Sequence, residues 1–441
     1  MTEAELPVRV AHLFDADWYR ARTPTCDPEA DPLEHYLATG WREGRDPSPG
    51  FDAAYYRSRY PAAARSGLPP LVHYALHGEA AGHRTRPVPR GRGAAANPAV
   101  SVVVPCYNHA RFIRQRIVSI LDQTWRADDP SRDMELIVLD DASTDDTLQV
   151  ARAVLEEFDS PARVVASERN SGGVFGQWQR ASQLARAPVM WLCESDDFAE
   201  PDLLSELMPA MDDPRTVLAF GRTELCDAAG TPLPGMDAWR AAAGGDWSVP
   251  DLREGADWFR GAAGMRNVIS NVGACLMRRD ALEHAPWDRI RAMSVCGDWL
   301  LYAHLASHGR FSYRPDAVGW FRQHGGNTST SRFADARFYQ EALRVRADVE
   351  ALHEPPPETR GACMAWLHDQ WRWFGMDRRV GAFEGLQRAE RAAMKAAAPR
   401  QAAPSAASDR AEPVADAARW RRLADALQRS IAPLGSRGVE A

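Results

Sequence analysis

The chain has almost no lysine: Lys395 is the only one among 53 basic residues, and the rest are arginine. With abundant alanine, this points to a GC-rich coding sequence rather than to a function. No apolar run reaches 18 residues, so no helical membrane span is expected. There is no C-x-x-C pair. The seven cysteines, Cys26, Cys106, Cys193, Cys226, Cys275, Cys296 and Cys363, are scattered and odd in number. They read as buried free thiols in a reducing compartment, not as a disulfide framework. Positive charge is not in excess either, and a net charge of −7 argues against a nucleic-acid partner. The N-terminal stretch is acidic and lacks an apolar signal core. The expected location is cytoplasmic, with peripheral contact at the inner face of a membrane left open. The first strand–helix turn has neither G-x-G-x-x-G nor G-x-x-x-x-G-K-[ST], which excludes the dinucleotide fingerprint and the Walker loop there.

What the chain does have is acid at the ends of apolar runs. VMWLCESDDF (Val189–Phe198) closes on Glu194, Asp196 and Asp197, with only Ser195 among them. An apolar run of this length reads as a buried strand of a parallel sheet. Clustered carboxylates repel one another unless a cation sits among them. Hard oxygen ligands at such a place suit Mg²⁺ or Mn²⁺ carrying a phosphate-rich substrate. The competing reading is a solvated acidic turn that caps the next helix. MELIVLDDASTDDT (Met134–Thr147) has the same shape, a strand ending in Asp140 and Asp141, with Ser143 and Thr144 as helix caps. VSVVVPCYNHARFI (Val100–Ile113) is a β-branched run broken by Pro105, and an amphipathic stretch follows through Leu121. This alternation predicts an α/β fold with a Rossmann-like, doubly wound, mostly parallel sheet. Right-handed crossovers would bring the three strand ends to one edge, where open α/β sheets bind ligands.

In order, VSVVVPCYN, LDDASTDDT, ERNSGGVFGQW and WLCESDDF resemble the motif series of the family 2 glycosyltransferases of the GT-A fold. RNVISNVGACLMRRDAL (Arg266–Leu282) resembles the acceptor-side segment and VCGDWLLYAHLASHG (Val295–Gly309) the helix of the catalytic carboxylate. GWFRQHGGNTS (Gly319–Ser329) resembles the closing Arg-x-His motif. The resemblance covers Asn97 to Arg332. It implies sugar transfer from a nucleoside diphosphate sugar, a UDP-sugar ahead of a GDP- or dTDP-sugar, to a hydroxyl of a glycan or lipid-linked acceptor. Inversion, help from Mn²⁺ or Mg²⁺ and a place in bacterial surface-polysaccharide synthesis are implied with it.

The same resemblance implies roles for residues. Tyr107 would lie against the base, while Pro105 and Asn108 shape the turn. Asp140 or Asp141 would accept a base N–H, and the other would cap the turn. Asn170, Gly172 and Gly173 would let the backbone approach the nucleotide closely. Trp178 is core or contact. Asp196 would coordinate the metal, with Glu194 or Asp197 positioning ribose or metal-bound water; many family members have Asp where Glu194 stands. Asp298 would take the acceptor proton, with Gly297 giving room and Trp299 an apolar wall. Its residue-level alternative is a helix N-cap. His324 would ligate the metal or donate to a phosphate, and Arg322 would pair with the diphosphate. Two other classes stand beside this reading. A glycan-binding or scaffold protein that keeps the fold would have eroded acids, and a nucleotidyltransferase would want a basic Gly-rich turn in place of PCYNHAR.

The expected organisation is a helical repeat module over 1–90, a linker at 91–97 and a GT-A domain over 98–331. A helical extension over 332–395, a flexible linker at 396–417 and an amphipathic helix at 418–441, suited to oligomerisation, would follow. FDADWYRAR (Phe14–Arg22) returns as FDAAYYRSR (Phe51–Arg59), and PLEHYLATGWREG (Pro32–Gly44) as PLVHYALHGEAAG (Pro70–Gly82). Each unit reads as two short helices closed by a glycine. It either docks a partner or glycan or is an accessory whose aromatics are its core. The Trp-rich segment Met364–Met376 either packs on the catalytic domain or touches a lipid-linked acceptor or membrane surface. Removing the first 90 residues is expected to leave donor chemistry intact.

Overall fold

The apolar runs become strands. β1 (Val100–Cys106), β2 (Met134–Asp140) and β4 (Val189–Leu192) are buried at every position, whereas β3 (Arg163–Ala166) lies at the edge and is partly exposed. β5 (Phe198–Ala199), β6 (Thr216–Cys226), β7 (Pro232–Leu233), β8 (Asp251–Glu254), β9 (Cys275–Arg278) and β10 (Arg310–Arg322) complete one ten-stranded sheet. This computed structural model describes residues 5–24, 26–27, 29–86, 97–126, 133–325 and 332–397. The linkers expected at 91–97 and 396–417 fall outside these residues except at their ends. The helix expected at 418–441 falls outside them entirely.

The strand order is β3-β2-β1-β4-β9-β6-β10-β5, with β7 on β6 and β8 on β10. β3, β2, β1 and β4 are mutually parallel, β6 and β10 are parallel to each other, and β9 runs antiparallel between β4 and β6. The expected α/β sheet is therefore present and mostly parallel. The short β5, β7 and β8 and the inserted β9 pair antiparallel, a departure that strand–helix alternation did not foretell. Alternate residues of the central strands feed opposite faces, as a period of two requires. Val103, Ile137, Leu139 and Leu192 enter one core, and Val102, Val104, Leu136, Val138 and Trp191 enter the other. Pro105 is tolerated inside β1 because the β4 ladder ends at Val103. Its missing N–H falls beyond the last bond on that side.

In residues 5–86 the two sequence units make matching contacts. Tyr19 Oη lies 2.9 Å from His35 Nδ1, and Tyr56 Oη lies 2.9 Å from His73 Nδ1. A side chain at Gly40 or Gly78 would collide with the same two hydroxyls. Gly44 and Gly82 take φ of +78° and +68°, where only glycine is comfortable. This packing explains why each unit keeps two glycines four apart. The aromatics Phe14, Tyr19, Tyr36, Phe51, Tyr56 and Tyr74 build a cluster of their own. Tyr55, however, is fully buried in a core of the sheet, with its hydroxyl 3.0 Å from Asp122 Oδ2. Arg59 also pairs with Asp122.

After the sheet come the helices Ala336–His353, Pro357–Trp373 and Phe383–Ala397. Trp371 is buried and donates to Gly381 O at 3.0 Å, whereas Trp373 is exposed. Packing on the sheet domain accounts for Trp371 and for Trp366, which lies against the same core. All seven cysteines are buried and free. Among the described residues no helix is long and apolar enough to cross a membrane.

Candidate active site

The carboxyl ends of β2, β1 and β4 lie side by side, and those of β6 and β10 point the same way beyond β9. The expected edge therefore exists. The turn after β4 carries the acids outward. Asp196 Oδ2 sits 3.0 Å from His324 Nε2, just past β10, and 4.0 Å from His109 Nε2, just past β1. His109 Nδ1 reaches Ser195 Oγ at 2.8 Å, and His324 packs its ring 4.7 Å from that of Phe112. Burial pushes the Asp196 carboxyl upward, but the hydrogen bond from His324 and the His109 charge outweigh it and hold it below the usual range. Glu194, desolvated and beside Asp196, is pushed up. Negative charge thus collects on Asp196 while Glu194 tends to keep its proton. Trp178 is both core and contact, since it packs edge-on to Phe175 and its Nε1 lies 3.3 Å from Glu194 Oε1.

Asp197 and Arg322 are less accessible than the sequence suggested. Asp197 is 1% exposed and accepts from Arg322 N at 2.8 Å and Asn271 Nδ2 at 3.0 Å. Arg322 is likewise 1% exposed. Its Nε donates to Asp196 O at 2.6 Å, Nη1 to Ala228 O at 3.0 Å and Nη2 to Gln115 Oε1 at 2.5 Å. Phe112 and Phe198 flank the guanidinium. This corrects the expectation that Arg322 pairs with a diphosphate: its donors face inward and clamp the ends of β4, β6 and β10.

On the nucleotide side, Tyr107 is exposed by 43%, so its ring is open to a ligand. Asn108 takes φ of +55° and accepts from Thr144 N at 2.8 Å, so it shapes the turn. Asp140 Oδ2 accepts from Ser143 N at 3.2 Å and acts as the turn cap. Asp141 receives Ser171 N at 3.0 Å, Ser171 Oγ at 2.8 Å and Gln177 Nε2 at 2.5 Å, which ties it to the following loop. Asn170 closes that loop from Nδ2 to Asp141 O at 3.1 Å. Gly172 is the left-handed residue at φ +81°, while Gly173 is extended with open space where a side chain would project.

Across the site, Asp298 lies in the first turn of the helix Gly297–Leu305, two residues past the position of a cap, which Cys296 occupies. It accepts from Asn267 Nδ2 and from Trp299 N, each at 2.7 Å. Burial raises its pKa to about 7 against these two bonds, and its charge adds to the upward push on Glu194. Gly297 and Trp299 serve packing, not an open cleft. A side chain at Gly297 would strike the Phe175 ring, and Trp299 is buried and donates to Ala263 O at 2.8 Å. Several participants were missed by sequence reasoning, chiefly His109, Asn267, Asn271 and the buried Arg116, whose Nε donates to Glu194 O at 2.9 Å. For His109 the signal was its place three residues past β1, on the edge already suspected.

Residues 101–284 match Glycosyl transferase family 2. The chain carries a family 2 glycosyltransferase domain. An uncharacterized protein of Mycobacterium tuberculosis is 24% identical over 278 residues, covering 61% of this chain and 73% of that one. A glycosyltransferase of Bacillus subtilis named for teichuronic acid biosynthesis is 31% identical over 139 residues, 31% of this chain and 51% of that protein. Among solved structures, mannosyltransferase PcManGT of Pyrobaculum calidifontis, in complex with GDP-Man and Mn²⁺, covers 79% of this glycosyltransferase and 86% of its own chain. At 18% identity and a TM-score of 0.45, that likeness is too distant to bear on mechanism. The family match removes the ground for the nucleotidyltransferase reading.

Proposed function

We propose that this glycosyltransferase moves a sugar from a nucleoside diphosphate sugar, preferentially a UDP-sugar, to a hydroxyl of a glycan or lipid-linked acceptor, with inversion and with a divalent cation. The observation that carries the reading is Asp196 between His109 and His324 at the strand ends, within the same crevice as a half-buried Asp298. His109, Asp196 and His324 each offer one ligand atom within 4.8 Å of the others, and Glu194, Asp196 and Asp197 form a second such set. Two imidazoles beside carboxylates fit Mn²⁺ better than Mg²⁺, which prefers all-oxygen surroundings. When bound, the cation supplies counter-charge to the diphosphate.

The chain's own residues do the rest. Tyr107 offers a face to the base, and the loop at Asn170–Gly173 lets the nucleotide approach backbone. Asp298 accepts the acceptor's hydroxyl proton as that oxygen forms its bond to the anomeric carbon. The bond from that carbon to phosphate oxygen breaks, and the leaving nucleoside diphosphate takes the electron pair. A pKa of about 7 leaves Asp298 substantially ionised near neutrality while keeping its affinity for the proton. The use of such a reaction in surface-polysaccharide assembly is supported by the family and by the name of the Bacillus relative. A glycan-binding scaffold would have no need of this carboxylate. The test is thermal stabilisation by UDP, GDP and dTDP with and without Mn²⁺, followed by turnover of the matching sugar nucleotides. Stabilisation by UDP that requires Mn²⁺ is expected. Metal-independent binding would remove the cation from the proposal, and absence of any nucleotide binding would remove the donor.

A further inference from the structure

The helix that carries Asp298 begins without a side-chain cap of its own, since Cys296 makes none. An acid from the C-terminal helices instead holds the turn that leads into it. Glu341, in the helix Ala336–His353, is 2% exposed and lies 45 positions from the last amide it binds. Its Oε1 accepts from Ser294 N at 2.7 Å, and its Oε2 accepts from Val295 N at 2.8 Å and Cys296 N at 2.9 Å. Ser294 and Val295 lie in the turn ahead of the helix and Cys296 at its N-cap, so Glu341 pins the chain as it enters the helix, and the positive end of the helix favours a carboxylate there. Three successive donors on one buried carboxylate fix where this helix starts. Asp298 follows two residues after the last of them. Close packing of Gly297 on the Phe175 ring keeps the helix from shifting sideways, and Asn267 holds the carboxylate from the front.

We infer that Glu341 is a positioning residue for the Asp298 carboxylate, which makes the helix Ala336–His353 part of the catalytic unit. The inference rests on the reading of Asp298 as proton acceptor. Glu341 lies behind the helix and touches neither strand-end acids nor nucleotide residues, so its effect should fall on turnover and not on donor affinity. Losing it would leave three amides short of their acceptor, which is costly for each group that stays buried and unpaired. The helix start would shift to find partners, and a displacement of about 1 Å at a reacting group can cost about 10²-fold in rate.

The experiment uses the full chain, Mn²⁺, UDP-sugars and p-nitrophenyl glycosides as acceptors. Glu341→Ala should lower transfer turnover about 10²-fold. UDP affinity with Mn²⁺ should stay within about twofold, because the donor residues lie on other elements. Glu341→Gln keeps the size and one carbonyl acceptor, so it should recover part of the rate, and it carries the test if the alanine variant does not fold. In an Asp298→Asn background, either substitution at Glu341 should cost little more, since its effect passes through the missing carboxylate. The inference is overturned if both variants lower melting temperature but leave turnover per folded molecule unchanged. It is equally overturned if they lose the same factor with and without Asp298. Full turnover in Asp298→Asn alone would instead remove the proton-acceptor reading, and with it the group that Glu341 is inferred to position.

Discussion

Two carboxylates in one crevice are driven in opposite directions, in keeping with the two tasks proposed for them. Asp196 is held ionised by His324 and His109, which suits a cation and a diphosphate. Asp196→Asn keeps the shape and removes the charge. Stabilisation by UDP with Mn²⁺ should disappear in a thermal melt, turnover should become undetectable, and the unliganded melting temperature should change little. Full activity in this variant would remove the site. Asp298 is pushed up to about 7 by burial. It must be ionised to accept a proton, so transfer should rise as pH increases through about 7 and fall below it. Asp298→Asn should cost roughly 10²–10⁴-fold, abolish that acid limb and leave UDP affinity nearly unchanged. If the limb survives in the variant, another group takes the proton.

At the scale of elements, the strand ends are joined by a buried guanidinium. Arg322 donates to the backbone of Asp196 and Ala228 and to the Gln115 side chain. Arg322→Leu should therefore destabilise the domain by about 3–5 kcal/mol in denaturant titration, as expected when a buried, hydrogen-bonded charge is removed. Lysine should not rescue it, because an ammonium cannot reproduce the planar fork. If Arg322→Lys instead weakens UDP binding at unchanged stability, the residue faces the diphosphate after all. The parallel strands β1, β2 and β4 and their acidic ends were legible because apolar runs bounded by carboxylates state both burial and edge. β9 was not legible, since direction is set by sheet partners and not by local pattern. Nor could the sequence say that Arg322 turns inward. An arginine beside a histidine motif reads the same whether its donors meet phosphate oxygens or carbonyls. His109 and Asp196 meet through topology alone, with Ser195, which His109 also contacts, 86 positions away.

At the scale of the molecule, residues 5–86 looked separable, with a repeat of their own ahead of the first motif. The packing is less independent. Tyr55 is inserted into a sheet core, and Asp122, 5% exposed, receives its hydroxyl along with Arg59 and Arg84. Asp52 also lies 3.7 Å from Arg114, on the helix that follows β1. Deleting residues 1–86 would return Asp122 to water at small cost, but it would uncover the apolar surface that Tyr55 closes. Burying one such aromatic is worth about 1.5–3 kcal/mol. The truncated chain should then melt roughly 2–5 °C lower, since the shift for a given loss shrinks as the folded unit grows. Stabilisation by UDP with Mn²⁺ should persist, since none of the strand-end residues comes from 5–86. Arg59→Ala in the full chain is the sharper comparison, because it leaves Asp122 buried with fewer partners and should lower the melting temperature without changing the nucleotide response. An unchanged melting temperature in the truncation would mean that the contact contributes nothing to stability. A folded truncation that no longer binds UDP would place part of the donor site in the N-terminal residues.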